Sequence, residues 1–292
     1  MSLLDKVRSL LSGGKLDVER RFEILREATA GTMSQFYVVR EHRTGTIQGL
    51  KILDPEKTEL FEARFKGLDK PSEGEIAVSL QHPRIVRTWE HGLTTTGRNY
   101  LLMEFLEGAG LNTLIFKRDP LLDGRRMTLI RQMIEAVGAV HSAGFIHRDI
   151  CPRNYICSPD GSSLKLIDFG LTIPATRPFM LPGNRTGTPN YMAPEVVRRK
   201  NTDLRVDIFA LGVTIYQLCA LELPWPSRET SGKVAMLHDT QEPVDILSIR
   251  PGLNRTLADV VRRCLAVDPA RRPDDTQQLL RMLSDVEHEN EP

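Results

Sequence analysis

The sequence predicts an α+β chain in two lobes, a small β-rich N-terminal unit with one main helix followed by a larger, mainly helical unit. Two observations predict it. Apolar residues alternate along residues 20–106 and then recur at helical spacing through most of 107–284. The chain of 292 residues, 40% hydrophobic and 26% charged, is long enough for one large core or two.

The elements follow in order. "MSLLDKVRSLLSGG" places Leu3, Leu4, Val7, Leu10 and Leu11 at helical spacing before a Gly pair, which predicts an amphipathic helical extension within residues 1–19. It lacks the form of a signal peptide. It packs on the domain or docks on a membrane or partner through residues 1–12. "RFEILREATAGTMSQFYVVREHRTGTIQGLKIL" alternates apolar and polar residues and turns at "RTGT", as consecutive antiparallel strands do. "PSEGEIAVSLQHPRIV" reads as the one helix crossing this sheet, and "NYLLMEFLEGAG" as a strand running into a loop. Beyond them "RRMTLIRQMIEAVGAVHSAG", "DIFALGVTIYQLCAL" and "TLADVVRRCLAV" read as helices, interrupted by short strands near residues 154–169. The acidic end, residues 285–292, reads as a solvated, flexible tail.

Composition excludes several functions. A formal net charge of +1 with no basic run gives no field to recruit nucleic acid. The longest apolar stretch contains Thr214, Gln217 and Glu222, which suit a buried helix better than a membrane span. Cys151, Cys157, Cys219 and Cys264 show no metal-ligand spacing, and a chain this long does not depend on disulfides for its core. The expectation is a reduced, cytoplasmic protein.

Chemistry concentrates in "GFIHRDICPRNYICSPDGSSLKLIDFG", residues 144–170, where two carboxylates flank a short apolar hairpin with an Asn between them. Oxygen ligands of this kind suit a reaction that holds a divalent metal beside a nucleophile, and phosphoryl transfer is one. "HRDICPRN" resembles the protein-kinase catalytic loop, and "IDFG" resembles that family's metal-binding motif. "GLKIL", "SEGEIAVSLQHPRIV", "LLMEFLEGAG", "GTPNYMAPE", "DIFALG" and "DPARRP" match further motifs in the family's order, so the resemblance runs from about Arg21 to Leu283.

The resemblance implies a bilobal protein-kinase-like fold and transfer of the γ-phosphate of Mg-ATP to a protein hydroxyl. It implies that Asp149 orients the substrate hydroxyl and accepts its proton, while Asn154 and Asp168 hold Mg²⁺. Lys51, fixed by Glu73 rather than Glu75, faces the ATP phosphates. The nucleotide site implied draws on Gly31, Phe36, Gly49 and Lys51 from the strands, and on Met103, Glu104 and Leu106 from the hinge. Asp207 steadies the catalytic loop, Arg272 pairs with Glu195, and His147 braces Phe169. "GTPNY", with Thr188 reaching Asp149, resembles the Ser/Thr form of the loop and argues against a small-molecule kinase. Thr186 is the candidate site of autophosphorylation, because Arg148 before Asp149 suits a phosphate.

The chain departs from the pattern at four places. "TAGTMS" retains only Gly31 of the glycine-rich loop, with Thr29 and Ser34 where glycines usually stand. Phe36 replaces a Val and Gly49 an Ala, changes of opposite volume. Cys151 stands where Ser/Thr kinases place Lys, and Arg153 matches an Arg that some tyrosine kinases use instead. Cys151 reads as a tolerated small residue or as a redox switch. An alternative reading of the whole is a pseudokinase that binds nucleotide or partners without turnover.

Overall fold

A computed structural model describes residues 14–183, 185–226 and 234–290, apart from residues 32 and 33 and the side chains of 28–31. The predicted helix over residues 1–12 lies outside the described residues. The chain divides into two compact units. One holds residues up to Gln81 with Arg87–Leu106, and the other holds His82–Val86 with residues from Glu107 onward. His82–Val86 thus departs from the 20–106 reading. Reciprocal backbone bonds carry this pentapeptide into the large unit, Val86 N to Leu166 O at 2.9 Å and Leu166 N to Arg84 O at 2.8 Å.

The small unit is built on an antiparallel five-stranded sheet of order β1-β2-β3-β5-β4. Its strands are β1 (Phe22–Gly31), β2 (Ser34–Glu41), β3 (Ile47–Leu53), β4 (Thr88–Leu93) and β5 (Asn99–Glu104). Alternation sorts the side chains to two faces. Val39, Leu50, Ile52, Tyr100 and Leu102 form an apolar cluster with Phe22 and Leu16. Leu16, expected in the N-terminal extension, belongs to the sheet instead. Burial of its side chain draws the backbone alongside β4, where Leu16 N donates to Leu93 O and Thr95 N donates to Leu16 O, both at 2.8 Å.

Two helices follow β3, where the sequence reading placed one. α1 (Pro55–Glu62) starts on an Asp54 cap with Pro at its first turn, a start signal present in "LDPEK". α2 (Glu73–Ser79) starts on Ser72 with a capping box, Ser72 and Glu75 each bonding the other's backbone N–H. α2 packs on β4.

The large unit begins with the short strand β6 (Ala109–Gly110) and α3 (Leu111–Lys117), then α4 (Arg126–Ser142). Short strands β7 (Phe145–Ile146), β8 (Tyr155–Cys157), β9 (Leu164–Leu166) and β10 (Ile173–Pro174) bracket the 147–154 loop. α5 (Arg205–Ala220), α6 (Arg255–Cys264) and α7 (Thr276–Met282) complete the layer of helices. α5 is buried nearly all round, and its polar residues are satisfied, Thr214 Oγ1 by Ala210 O at 2.8 Å and Gln217 by the hydroxyl of Tyr191. No helix of the described residues is long and apolar enough to cross a membrane.

The acidic end is not the solvated tail expected. Val286 is buried, and the buried Glu289 accepts from Arg126 N at 3.1 Å and from the guanidinium groups of Arg126 at 2.6 Å and Arg250 at 3.0 Å. Charge alone suggested solvent, but two arginines from distant segments need a counter-ion here.

Candidate active site

The site residues fall on both units, and each half is built from its own elements. In the small unit Lys51 lies on the central strand β3, paired with Phe36 on β2 and Leu101 on β5. Its side chain is 9% exposed and that of Glu73 10%, and Nζ meets Glu73 Oε1 at 2.5 Å. Two charges removed from water in this way are stable only while each has the other. Glu75 is spent on the Ser72 cap, with its Oε2 2.8 Å from Ser72 N and Oγ, and those bonds hold its carboxyl below the usual range.

The position of α2 therefore decides where Glu73 meets Lys51, and two features that the sequence reading missed set that position. Lys70 Nζ donates to Pro71 O at 3.0 Å and meets Glu62 at 2.8 Å, while lying over the rings of Phe61 at 5.3 Å and Phe65 at 6.0 Å. It ties α1 to the residue just before the α2 cap. Gly74 lets the helix approach β4, since a Cβ there would lie 2.5 Å from Cγ and 2.6 Å from Cβ of His91. The signal for either feature was weak in sequence, because both depend on where a helix lands.

The expected nucleotide residues of this unit are spread along three strands and the segment after them. Gly31 ends β1 opposite Ser34, and Gly49 pairs with Met103. Glu104 ties down the start of β4, accepting from Arg87 N at 2.7 Å through Oε1 and donating its own N–H to Arg87 O at 2.9 Å. Leu106 is half-buried at the unit's last residue.

In the large unit the 147–154 loop hangs on one carboxylate. Asp207, fully buried near the start of α5, accepts from His147 N and Arg148 N, both at 2.8 Å, and from His141 Nε2 at 2.9 Å. These bonds keep Asp207 ionised, its carboxyl lowered although burial pushes the other way. Arg148 adopts a left-handed φ of 67°, which turns the next residue inward.

Asp149 is thereby fixed. Its Oδ1 accepts from Thr188 N at 2.9 Å and Thr188 Oγ1 at 2.6 Å, and its Oδ2 accepts from Asn154 Nδ2 and Arg153 Nη2, both at 3.0 Å. Asn154 Nδ2 also donates to Asp149 O at 2.7 Å, which turns its carbonyl oxygen away from Asp149. Asp168 is exposed at φ 68°, with Oδ1 accepting from Gly170 N at 3.1 Å. Phe169, buried, meets the His147 ring edge-on at 5.4 Å, so His147 is a packing residue whose burial lowers its pKa. Glu195 and Arg272 form a bidentate pair at 2.7 and 2.8 Å.

Cys151 is 1% exposed, with Sγ 3.9 Å from Thr188 Oγ1, and burial followed by the neighbouring Asp149 pushes its thiol up to about 12. A thiol so protonated is a poor nucleophile, so the redox reading of this residue is set aside. Thr186 is buried at 9% and lines a small pocket with Arg148, Tyr191 and Asp207.

The donor set of the large half suits Mg²⁺. Asn154 and Asp168 offer an amide carbonyl oxygen and a carboxylate, hard ligands with no thiolate or imidazole among them. Among the described residues no group of three or more His, Cys, Asp or Glu could hold a metal by itself.

The family described as the protein kinase domain matches residues 22–283. The chain is 30% identical over 275 residues to serine/threonine-protein kinase pkn3 of Myxococcus xanthus, covering 89% of this chain and 48% of that protein. It is 28% identical over 284 residues to serine/threonine-protein kinase PknB of Mycobacterium tuberculosis, covering 93% of this chain and 44% of that one. An Aurora kinase of Yarrowia lipolytica is 30% identical over 259 residues, covering 86% and 65%. The chain thus spans from under half to about two thirds of the length of these relatives.

Proposed function

The chain belongs to the protein kinase family, and from that premise we propose that it is an ATP-dependent serine/threonine protein kinase. The observation that carries the reading is the Asp149 carboxylate, held by Thr188, Asn154 and Arg153 beside the oxygen ligands for a metal. Mg²⁺, when bound by Asn154 and Asp168, neutralises the charge that develops on the phosphate oxygens. Lys51, kept in place by Glu73, supplies positive charge to the α- and β-phosphates of ATP.

Asp149 Oδ2 is the atom that takes the proton of the substrate hydroxyl. Each oxygen accepts two bonds, but both donors at Oδ1 belong to the one residue Thr188, whereas at Oδ2 the buried Asn154 is joined by Arg153, whose side chain is 47% exposed and is the donor to give way to a substrate hydroxyl. As the hydroxyl oxygen bonds to the γ-phosphorus, the proton passes to Oδ2 and the bridging oxygen leaves with its electron pair on ADP. Arg153 then supplies the local positive charge that Cys151 cannot.

Protein hydroxyls are the substrates, with Ser/Thr favoured by Thr188, and Thr186 is a candidate for autophosphorylation. Its burial requires the segment to leave the Arg148 pocket before it is modified. The four cysteines are free and buried, which suits a reducing, cytoplasmic setting. The test is Mg²⁺-dependent transfer from γ-labelled ATP to the chain itself and to a generic basic protein, comparing the natural chain with Asp168→Asn. Transfer that vanishes in the variant supports the reading. ATP binding with no transfer by the natural chain sinks it.

A further inference from the structure

Thr188 touches Asp149 with both its N–H and its hydroxyl, so the residues that follow it border any hydroxyl from which Asp149 takes a proton. From there the chain makes one tight turn over Pro189–Tyr191 and enters the short helix Pro194–Val197. That helix starts its ladder at Ala193 O, which accepts from Val196 N at 3.0 Å and Val197 N at 3.2 Å. Met192 O lies one residue outside it. Its partner comes from a distant part of the large unit, His238 Nδ1 at 2.7 Å. A carbonyl only accepts, so the imidazole carries a proton on Nδ1.

His238 is built into this position. It is 1% exposed, in the turn Val234–Asp239, with its ring 4.4 Å from that of Trp225 and 5.6 Å from that of Phe209 on α5. Trp225 is fixed in turn, its Nε1 donating to Gln241 O at 2.9 Å. The residue after His238, Asp239, pairs with Arg198 just beyond the helix. Two consecutive residues thus hold the chain before and after Pro194–Val197. Burial lowers the pKa of His238 and strips the imidazole of water, so packing alone would be served better by an apolar side chain. What the imidazole adds is the donor to Met192.

We infer that His238 is a positioning residue for the protein substrate: it fixes Met192 while Asp149 fixes Thr188, and the loop between them keeps the one shape against which the peptide carrying the acceptor hydroxyl lies. This rests on the protein kinase reading above. Fastened at both ends, the loop presents a single surface. Released at Met192, it samples several, and the apparent affinity for the peptide falls by the fraction that still fits, while the complex that does form reacts as before.

The test uses the full chain with two complementary variants. His238→Phe keeps a ring beside Trp225 and Phe209 but has no donor, whereas His238→Asn loses the ring and keeps an N–H close to the place of Nδ1. Steady-state transfer to myelin basic protein, the probe substrate, reads the role. In His238→Phe the KM for the protein rises about five- to tenfold, while kcat and the KM for ATP stay within about twofold. His238→Asn returns the protein KM to near the natural value. Hydrogen exchange read by mass spectrometry on the chain without ligand is the second arm. The amides of Thr188, Tyr191 and Met192 exchange about five- to tenfold faster in His238→Phe and at the natural rate in His238→Asn, with those of α4 unchanged in both. Either variant decides by itself. Unchanged protein KM and exchange in His238→Phe overturn the inference, as does a folded His238→Asn that has lost affinity for the protein. A fall in kcat and in ATP affinity together, alongside faster exchange throughout the large unit, makes His238 a fold residue only and overturns it too. A natural chain that transfers no phosphate overturns the kinase reading and the substrate role with it, whereas the exchange arm still shows whether His238 holds the loop.

Discussion

Lys51 in the small unit and Asp149 in the large one are equally buried, each 7% exposed, but they are held in different ways. Asp149 is gripped by its own loop, through Asn154 and Arg153 within five residues, and by Thr188. Lys51 meets a carboxylate carried on a separate helix, and that helix takes its place from Lys70 and from the close approach at Gly74. A charge held by its own loop, itself anchored on the buried Asp207 of α5, stays in place when α2 moves. One whose partner rides on a helix is gained or lost as the helix moves, so the small unit is where activity is open to control.

The largest test of this difference is Asp149→Asn. The amide keeps the shape, so melting changes by a few degrees at most, while γ-phosphate transfer falls about 100- to 10,000-fold. A comparable fall in stability would mean that the loop depends on the charge and is not locally built.

Lys51→Met should behave in the opposite manner. It leaves Glu73 buried without its partner and costs about 3–5 kcal/mol in chemical denaturation, besides abolishing transfer. Adding Glu73→Leu should restore most of the stability and none of the transfer. If the double variant remains as unstable as the single one, the buried pair is not what Lys51 contributes.

Gly74→Ala sharpens the comparison. The new methyl meets His91 and displaces α2, and transfer drops about tenfold. Stability changes less, because alanine gains about 1 kcal/mol of helix propensity over glycine. His91→Gly on the same chain, which removes Cβ as well as the ring, should return the activity, and failure to do so would remove the steric account.

The smallest effect separates neither unit from solvent chemistry but checks the packing around the large one. Burial raises the thiols of Cys151, Cys157, Cys219 and Cys264 from 9.0 to about 12. Their folded pKa values lie above the unfolded ones, so their contribution to stability is whole below pH 9 and is lost as pH climbs towards about 12. At pH 8 a thiol reagent should leave all four untouched in the native chain and label all four once it is unfolded.

The legible parts of the site were those compressed into a few neighbouring residues. The Asp149–Asn154 interval and "IDFG" announce themselves because the chemistry itself demands that spacing. Glu73 could be chosen over Glu75 by counting back from "HP" in the family motif, and the structure turns Glu73 to Lys51 and Glu75 to its own cap. α1 was missed although "LDPEK" carries an Asp cap and a Pro, since the segment lacks a strong apolar stripe. The Gly74–His91 approach could not be read at all, and the Phe36–Gly49 contact was legible only as two volume changes of opposite sign, not as a distance. They depend on how far apart two packed elements end up, and a sequence records residue types but not separations.

The clasp between Arg126 and Glu289 has a consequence for how the chain is made. The two residues are 163 positions apart, so when Arg126 leaves the ribosome its counter-ion has not yet been synthesised. A nascent chain that has already formed α4 carries a cation destined for burial, with Leu218 O, Asp123 and Glu289 as its eventual partners. The large unit therefore closes only after Glu289 has been made, and until then Arg126 at the start of α4 lacks the carboxylate it is buried with.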